Sequence, residues 1–376
     1  MISQVITRTK AAAISAVTVC IMAVLLIFSG EVSGGVAAGL RSSAGLLIPS
    51  LFPSMAVSAF IIRSGISEKI GIILAPVTRC FFKLPLSCSA AVFLSFAGGF
   101  PIGAKCVRLL YEKGSINAAQ AEQMMNYCVC SGPAFLITGV GTLILHNAQL
   151  GIILYLSQVL SGLILGIISG RIYKSAAAGN EECMSRNIQN IPQSKNGIID
   201  SFILSCSDAA GSVIGLTAMV ALFGAITSVC DSSGVTAFVS AALRAAGAEA
   251  PFADNFFYIF TEVTKACTSI GSSGCPLWLF SFAVGFGGLC VHFQIFSILG
   301  DIPFSKLRFF VFRLMNAFLS SVIVYIVCRF YQPDGEVSLI LGDVVLEYGA
   351  ASFRGAAALV IMCAVFVFSL RVRSTR

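Results

Sequence analysis

The stretch S-F-A-G-G-F-P-I-G-A-K, residues 95–105, decides how this chain is read. It sets three glycines, a proline and a lysine inside an apolar segment, where a lipid-spanning helix is expected. Relative to alanine, glycine costs about 1 kcal/mol in a helix interior and proline about 3. A helix broken within hydrocarbon also frees N–H and C=O groups, which then need partners in protein or in a polar cavity. Gly98, Gly99, Phe100 and Pro101 therefore predict an unwound turn that lines a site, with Gly103 and Lys105 just beyond it. A second stretch, S-F-A-V-G-F-G-G-L at 281–289, repeats the theme with Gly285, Gly287 and Gly288. The expectation is two broken membrane segments that meet around a small solute. The plainer reading of the same glycines is close helix packing, because small residues let helices approach.

Composition sets the frame for this reading. The 376 residues are 57% hydrophobic and 11% charged, about half the charged share of a typical soluble domain. Mean hydropathy is +0.92. Apolar runs long enough to cross a bilayer recur along the chain, and the alternating pattern of a transmembrane β-barrel is absent. The fold class expected is an all-α polytopic membrane protein. The net charge of +7 resides in Lys and Arg clusters at segment ends, as orientation signals do. No basic patch interleaves with aromatics on a polar face, which argues against nucleic acid as a partner.

Fourteen cysteines are scattered mostly singly through apolar segments (Cys20, Cys206, Cys230, Cys363), with one C-x-C at Cys128 and Cys130. They read as small buried hydrophobes, not as the framework of a secreted disulfide scaffold. His146 and His292 have no metal-binding spacing around them, and P-loop, G-x-S-x-G and zinc motifs are all lacking. No cofactor, metal or catalysis is expected.

About eight full spans are predicted, at 11–29, 44–62, 131–147, 149–170, 203–229, 277–299, 308–329 and 353–371. Shorter or interrupted segments fall at 70–83, 86–107 and 253–270, and 115–128 is polar enough for a surface helix. Arg8 and Lys10 before the first apolar run resemble a signal peptide. The run is long and no small-x-small cleavage site follows, so it reads as an uncleaved span. Basic loops place 171–197, 301–313 and the tail in the cytoplasm. The acidic stretches at 231–255 and around Asp334, Glu336, Asp343 and Glu347 fall outside, which puts both termini in the cytoplasm.

The hydrophilic linker 171–197 divides the chain. An N-terminal span and connector (1–43) precede a first half (44–170), and a second half (198–330) precedes an external loop and C-terminal span (331–376). When S-F-A at 281–283 is laid on S-F-A at 95–97, V-T-K at 263–265 falls on V-T-R at 77–79 without a gap. Span 44–62 should run inwards and 203–229 outwards. That is the pattern of an inverted-topology repeat, an organisation common among secondary transporters with discontinuous helices near the midplane.

Further candidate residues have their own chemistry. Lys105 could hold a carboxylate or phosphate, or snorkel to the interface. Glu262 and Lys265, three apart in T-E-V-T-K, are expected on one helix face. With Thr264 they could bind solute or a coupling proton, or form an ion pair at the interface; ionisable groups at membrane depth usually face a cavity or a partner. Asn126 lies near Ser131, Gly132 and Pro133, which stop the polar helix and begin a span. His292 and Gln294 follow a glycine break. Asp208 reads as a partner for a helix dipole.

At these residues the chain resembles a known family. G-G-F-P-I-G-A-K-C-V-R-L-L-Y-E-K-G at 98–114, S-G-P at 131–133 and F-G-G-L-C-V-H-F-Q at 286–294 are similar to the YlbJ family of sporulation integral membrane proteins. That family carries a nucleoside-recognition or Gate domain related to concentrative nucleoside transporters. The resemblance covers roughly 40–330. It implies a Gate-like fold and a role in a forming endospore, moving dipicolinic acid across the outer forespore membrane. The sequence departs from the pattern at Cys290, where serine is expected, and at Cys128 and Cys130, where polar residues are. The expected partners are an anionic small molecule, the lipid bilayer and further copies of the chain. A nucleoside or purine carrier and a non-transporting scaffold in spore-envelope formation are the alternatives.

Overall fold

At Gly99, Glu262 and Gly287 the helices stop and restart within apolar runs. The computed structural model describes residues 22–67, 78–173 and 197–331, with Ser15, Thr18, Val19, Gly71 and Pro76 besides. The expected span 353–371, residues 11–14, 16, 17, 20 and 21 of the expected span 11–29, residues 174–196 of the linker, the loop after 331, Val77 and both termini lie outside the described residues. Among the described residues there is helix and no strand.

Helix α1 (Ser29–Ser42) continues through a π-helical turn, Ser43–Leu47, into α2 (Ile48–Arg63). A short π turn (Thr78–Phe82) and a 3-10 turn (Leu86–Cys88) lead to α3 (Ser89–Gly98), which breaks at Gly99 before α4 (Phe100–Glu112). Helix α5 (Ala118–Met125) is followed by non-helical chain and then by the π-helical segment Ala134–Ile144. The first half closes with α6 (Ala148–Ile172). The second half opens with α7 (Ile198–Ser232), followed by α8 (Val235–Ala245). Helices α9 (Ala250–Thr261) and α10 (Val263–Ser272) are separated only by Glu262. Helices α11 (Leu277–Phe286) and α12 (Gly288–Leu299) are separated only by Gly287, and α13 (Lys306–Phe330) ends the described chain.

Among the described residues, four helical stretches are long and apolar enough to cross a membrane: α6, α7, the α11–α12 pair taken together, and α13. The expected span 131–147 is different. Residues 126–132 lack regular helix, and the π-helical segment that follows, Ala134–Ile144, is shorter than a full span. Pro133 has no N–H to donate, and Gly132 is pressed against another backbone. The apolar part of 44–62 is likewise short, Leu51–Arg63.

The expected surface helix at 115–128 is a buried one. Asn117 and Gln120 form a reciprocal cap, Gln123 Nε2 donates to Phe82 O at 2.6 Å and Asn126 Nδ2 donates to Ser169 Oγ at 3.2 Å. Its polar residues satisfy buried backbone and side chains instead of facing water, which is why polarity alone misplaced it.

Two long pairs run antiparallel. Gly35 packs on Gly224 and Gly39 on Ala221, while Arg63 at the far end of α2 pairs with Asp208 near the start of α7. Likewise Tyr173 at the end of α6 meets Arg308 at the start of α13, and Ser161 meets Asn316 further along. Outward faces carry large apolar residues such as Ile214, Leu222, Leu156, Phe318 and Phe330, as contact with lipid requires.

Close backbone packing makes a direct test. A Cβ on Gly103 would run into the carbonyl oxygen of Cys128, whereas one on Gly30 would meet nothing within 4 Å. Overpacking typically costs about 1–3 kcal/mol, and a backbone carbonyl yields less than a side chain does. Gly103→Ala should therefore lower the thermal midpoint of the detergent-solubilised protein by several degrees, and Gly30→Ala should leave it unchanged or slightly raised. Fluorescence-monitored melting of the two variants beside wild type checks this.

Candidate functional site

The site is built from two crossings of interrupted helices. In the first, the break at Gly99 meets the non-helical chain at Gly132. A Cβ on Gly132 would lie 2.9 Å from Gly98 O and 3.1 Å from Gly99 Cα, so the two backbones touch. Gly99 has φ +103° and ψ 178°, a conformation that side-chain-bearing residues rarely adopt. In the second crossing, the break at Glu262 meets Gly288, whose added Cβ would lie 3.1 Å from the Glu262 backbone nitrogen. Both readings of the glycines hold at once: the helices break, and backbones also approach closely at the breaks. Gly103 and Gly285 take the packing role alone. A Cβ on Gly285 would lie 2.7 Å from Ala317 Cα.

One side chain ties the crossings together. Arg313 on α13 is 2% exposed. It donates from Nε to Phe286 O at 3.3 Å, and from its two terminal nitrogens to Val129 O and Gly285 O. Its guanidinium lies 5.5 Å from the centre of the Phe100 ring. Val129 and Phe100 belong to the first crossing, and Gly285 and Phe286 to the second. Asn316, one turn on, donates to Gly285 O at 3.1 Å and to Gln158 Oε1 at 3.0 Å, while its own Oδ1 accepts from Ser161 at 2.7 Å. Gln158 in turn donates to Ser281 O at 3.1 Å. The Gly285 and Phe286 carbonyls at the end of α11 thus find buried donors on α13, and Gln158 and Ser161 of α6 hold Asn316 in place. The loop-charge argument read Arg313 only as an orientation signal. Its sequence signal was an arginine inside an apolar run, eight residues beyond the Ser305 cap of its helix.

Glu262 does not share a helix face with Lys265. It has φ −149° and ψ 118° and is the N-cap of α10. Its carboxylate accepts from the backbone N–H of Thr264 at 2.9 Å and of Lys265 at 2.6 Å. A carboxylate 6% exposed is held by orphan donors at a helix start, which the dipole there favours. The Lys265 ammonium turns instead to the Tyr258 ring, 5.6 Å from its centre. Spacing predicted a shared face because it assumed helix through residue 262.

Between the crossings lies a cavity of about 50 Å³. Gly98, Gly99, Phe100, Pro101, Gly132, Glu262, Thr264 and Gln294 all line it, so a large part of the candidate set converges. The rest does not. Lys105 and Lys265 line separate clefts. Asn126 bonds Ser169 and Tyr173. His292 sits against Phe286, Phe309 and Phe310 with Nδ1 2.6 Å from Gly288 O. Pro133 precedes the π-helical segment, Ser131 is fully buried, and Gly287 and Gly288 form the second break. Asp208, expected to serve a helix dipole, is paired with Arg63. Small-molecule pockets run to about 300–1,000 Å³, so the cavity is a narrow waist.

A helical bundle with four stretches fit to cross a bilayer among the described residues, and interrupted helices crossing within it, defines an integral membrane protein. The chain is 24% identical over 312 residues to the sporulation integral membrane protein YlbJ of Bacillus subtilis (strain 168), a match spanning 76% of this chain and 74% of that protein. This similarity supports the family resemblance read from the glycine motifs. No family model matches the chain, and no solved structure matches it.

Removing the guanidinium would strand the carbonyls of Val129 and Phe286, Gly285 O keeping its bond from Asn316, and a buried group left unsatisfied costs about 1–3 kcal/mol. Arg313→Met should therefore destabilise the folded protein by about 3 kcal/mol or more. Arg308→Met, which breaks a pair with Glu122 through an arginine that is half exposed, should cost under about 1. Denaturation of both variants in the same detergent measures the difference.

Proposed function

We propose that this protein is a secondary transporter or facilitator for a small organic anion, first of all dipicolinic acid, acting in the outer forespore membrane during sporulation. Transport, not catalysis, is its activity. The observation that carries this is the pair of crossed helix breaks around a waist too narrow for such a solute, with a wider cleft on either side of it, of about 340 and 270 Å³. Breaks of this kind free backbone groups that can face a solute, and Lys105, in the cleft beyond one of them, suits a carboxylate. The name of the sporulation relative supports the setting.

An inverted repeat fits the same picture. The order of elements pairs α3–α4 with α9–α10, so that Gly99 answers to Glu262 and Gly132 to Gly288. The register from the shared S-F-A is different, because it joins the ends of α3 and α11, two apolar helices that both run into a break. Under the element pairing, α1–α2 answers to α7 and α6 to α13, and each pair packs antiparallel. Rocking of one half against the other would open the waist to each side in turn. With the linker in the cytoplasm, the start of α7 and the Lys105 cleft face the cytoplasm.

Reconstituted protein should take up labelled dipicolinate saturably, and Gly99→Leu should lower the rate at least tenfold at equal amounts of folded protein in the vesicles. Uptake no greater than in protein-free liposomes would sink the proposal, and stronger competition by nucleosides than by unlabelled dipicolinate would turn it towards a nucleoside carrier.

A further inference from the structure

The clefts on either side of the waist carry opposite charge. The first is lined by Lys105, Arg108 and Asp208, with the hydroxyls of Ser207, Ser212 and Ser297. Two of its charged groups are already engaged. Asp208 is paired with Arg63, and Arg108 donates to Glu112 at 2.6 Å and to Ile298 O at 2.7 Å. Lys105 is the remaining cation. Its Nζ reaches Ser212 Oγ at 3.4 Å and is in no ion pair among the described residues. Arg63, Lys105 and Arg108 against Asp208 and Glu112 leave this end with one positive charge in excess.

The second cleft reverses the sign. It is lined by Asp231, Glu262 and Lys265, two carboxylates and one ammonium. Tyr258 stands between two of them, its hydroxyl donating to Asp231 Oδ1 at 2.8 Å and its ring beneath the Lys265 ammonium. The waist shares Gln294 and Leu216 with the first cleft, and Val220, Glu262 and Thr264 with the second. Three spaces therefore follow one another along α7, basic at one end and acidic at the other.

We infer that solute recognition is one-sided: a small dicarboxylate docks in the Lys105 cleft, one carboxylate on Lys105 and the other among the serine hydroxyls, and the acidic Lys265 cleft is the side of release. The two lysines line different clefts, so they do not clamp one solute together. Nearby charge of one sign raises the local concentration of the opposite ion, so the basic end gathers the dianion and the acidic end sheds it. This rests on the anion-carrier reading above.

The test uses the full chain in detergent with pyridine-2,6-dicarboxylate as probe, measured by calorimetry. Lys105→Gln should weaken binding at least tenfold, Lys105→Arg should recover most of it, and Lys265→Gln should stay within threefold of wild type. A second measurement does not depend on removing the lysine. Ser212→Cys, alkylated by a maleimide and followed by the mass of its peptide, should be protected by the dicarboxylate. Unchanged affinity in Lys105→Gln, an equal loss in Lys265→Gln, or absence of protection in Ser212→Cys would overturn the one-sided site. Wild-type protein that neither binds nor transports the dianion would overturn the carrier reading itself.

Discussion

A buried guanidinium holding the carbonyls of interrupted helices is the constraint on which the remaining architecture depends. Arg313 reaches Val129 in one crossing and Gly285 and Phe286 in the other, so neither break can relax without disturbing its partner. Burying a charge is expensive unless strong hydrogen bonds replace its hydration. Three carbonyl acceptors and the face of Phe100 supply that replacement here. Asn316, Gln158, Ser161 and Ser281 extend the same solution, and together they fix α6, α11 and α13 around the second break.

Glycine does two jobs around this arginine. At Gly99 and Gly288 it takes backbone angles that other residues rarely adopt, φ +103° and +72°, and lets the chain turn within an apolar layer. At Gly132 and Gly103 it removes the side chain that would hold two backbones apart. Glu262 achieves a break by other means. An extended residue interrupts the winding, and its carboxylate then caps the helix that follows. The two crossings are alike in placement and unlike in chemistry, and the charge of the two flanking clefts differs accordingly.

The antiparallel pairs give this arrangement its long axis. Close contacts such as Gly35 on Gly224 draw α1 and α7 together, and α7 carries the waist and both clefts along its length. A helix of 35 residues is longer than the roughly 30 Å apolar layer needs. It therefore has turns to spare for the acidic groups at either end, Asp208 and Asp231.

Much was legible in the order of residues alone. Apolar length and scarce charge define helices in a membrane, because unpaired backbone in hydrocarbon leaves few other structures. The glycines and proline of 95–105 and 281–289 mark where those helices must stop, through propensities that act locally. Tertiary structure decided what those local signals cannot contain. It decided that 126–132 is non-helical, because Gly132 and Cys128 are pressed against another segment. It decided that Gln123 is buried, because its partner, the Phe82 carbonyl, lies far back in the chain. It separated Lys105 from Lys265 and set Arg313 between the crossings. Each depends on contacts between residues distant in sequence, and periodicity or spacing records only neighbours along the chain.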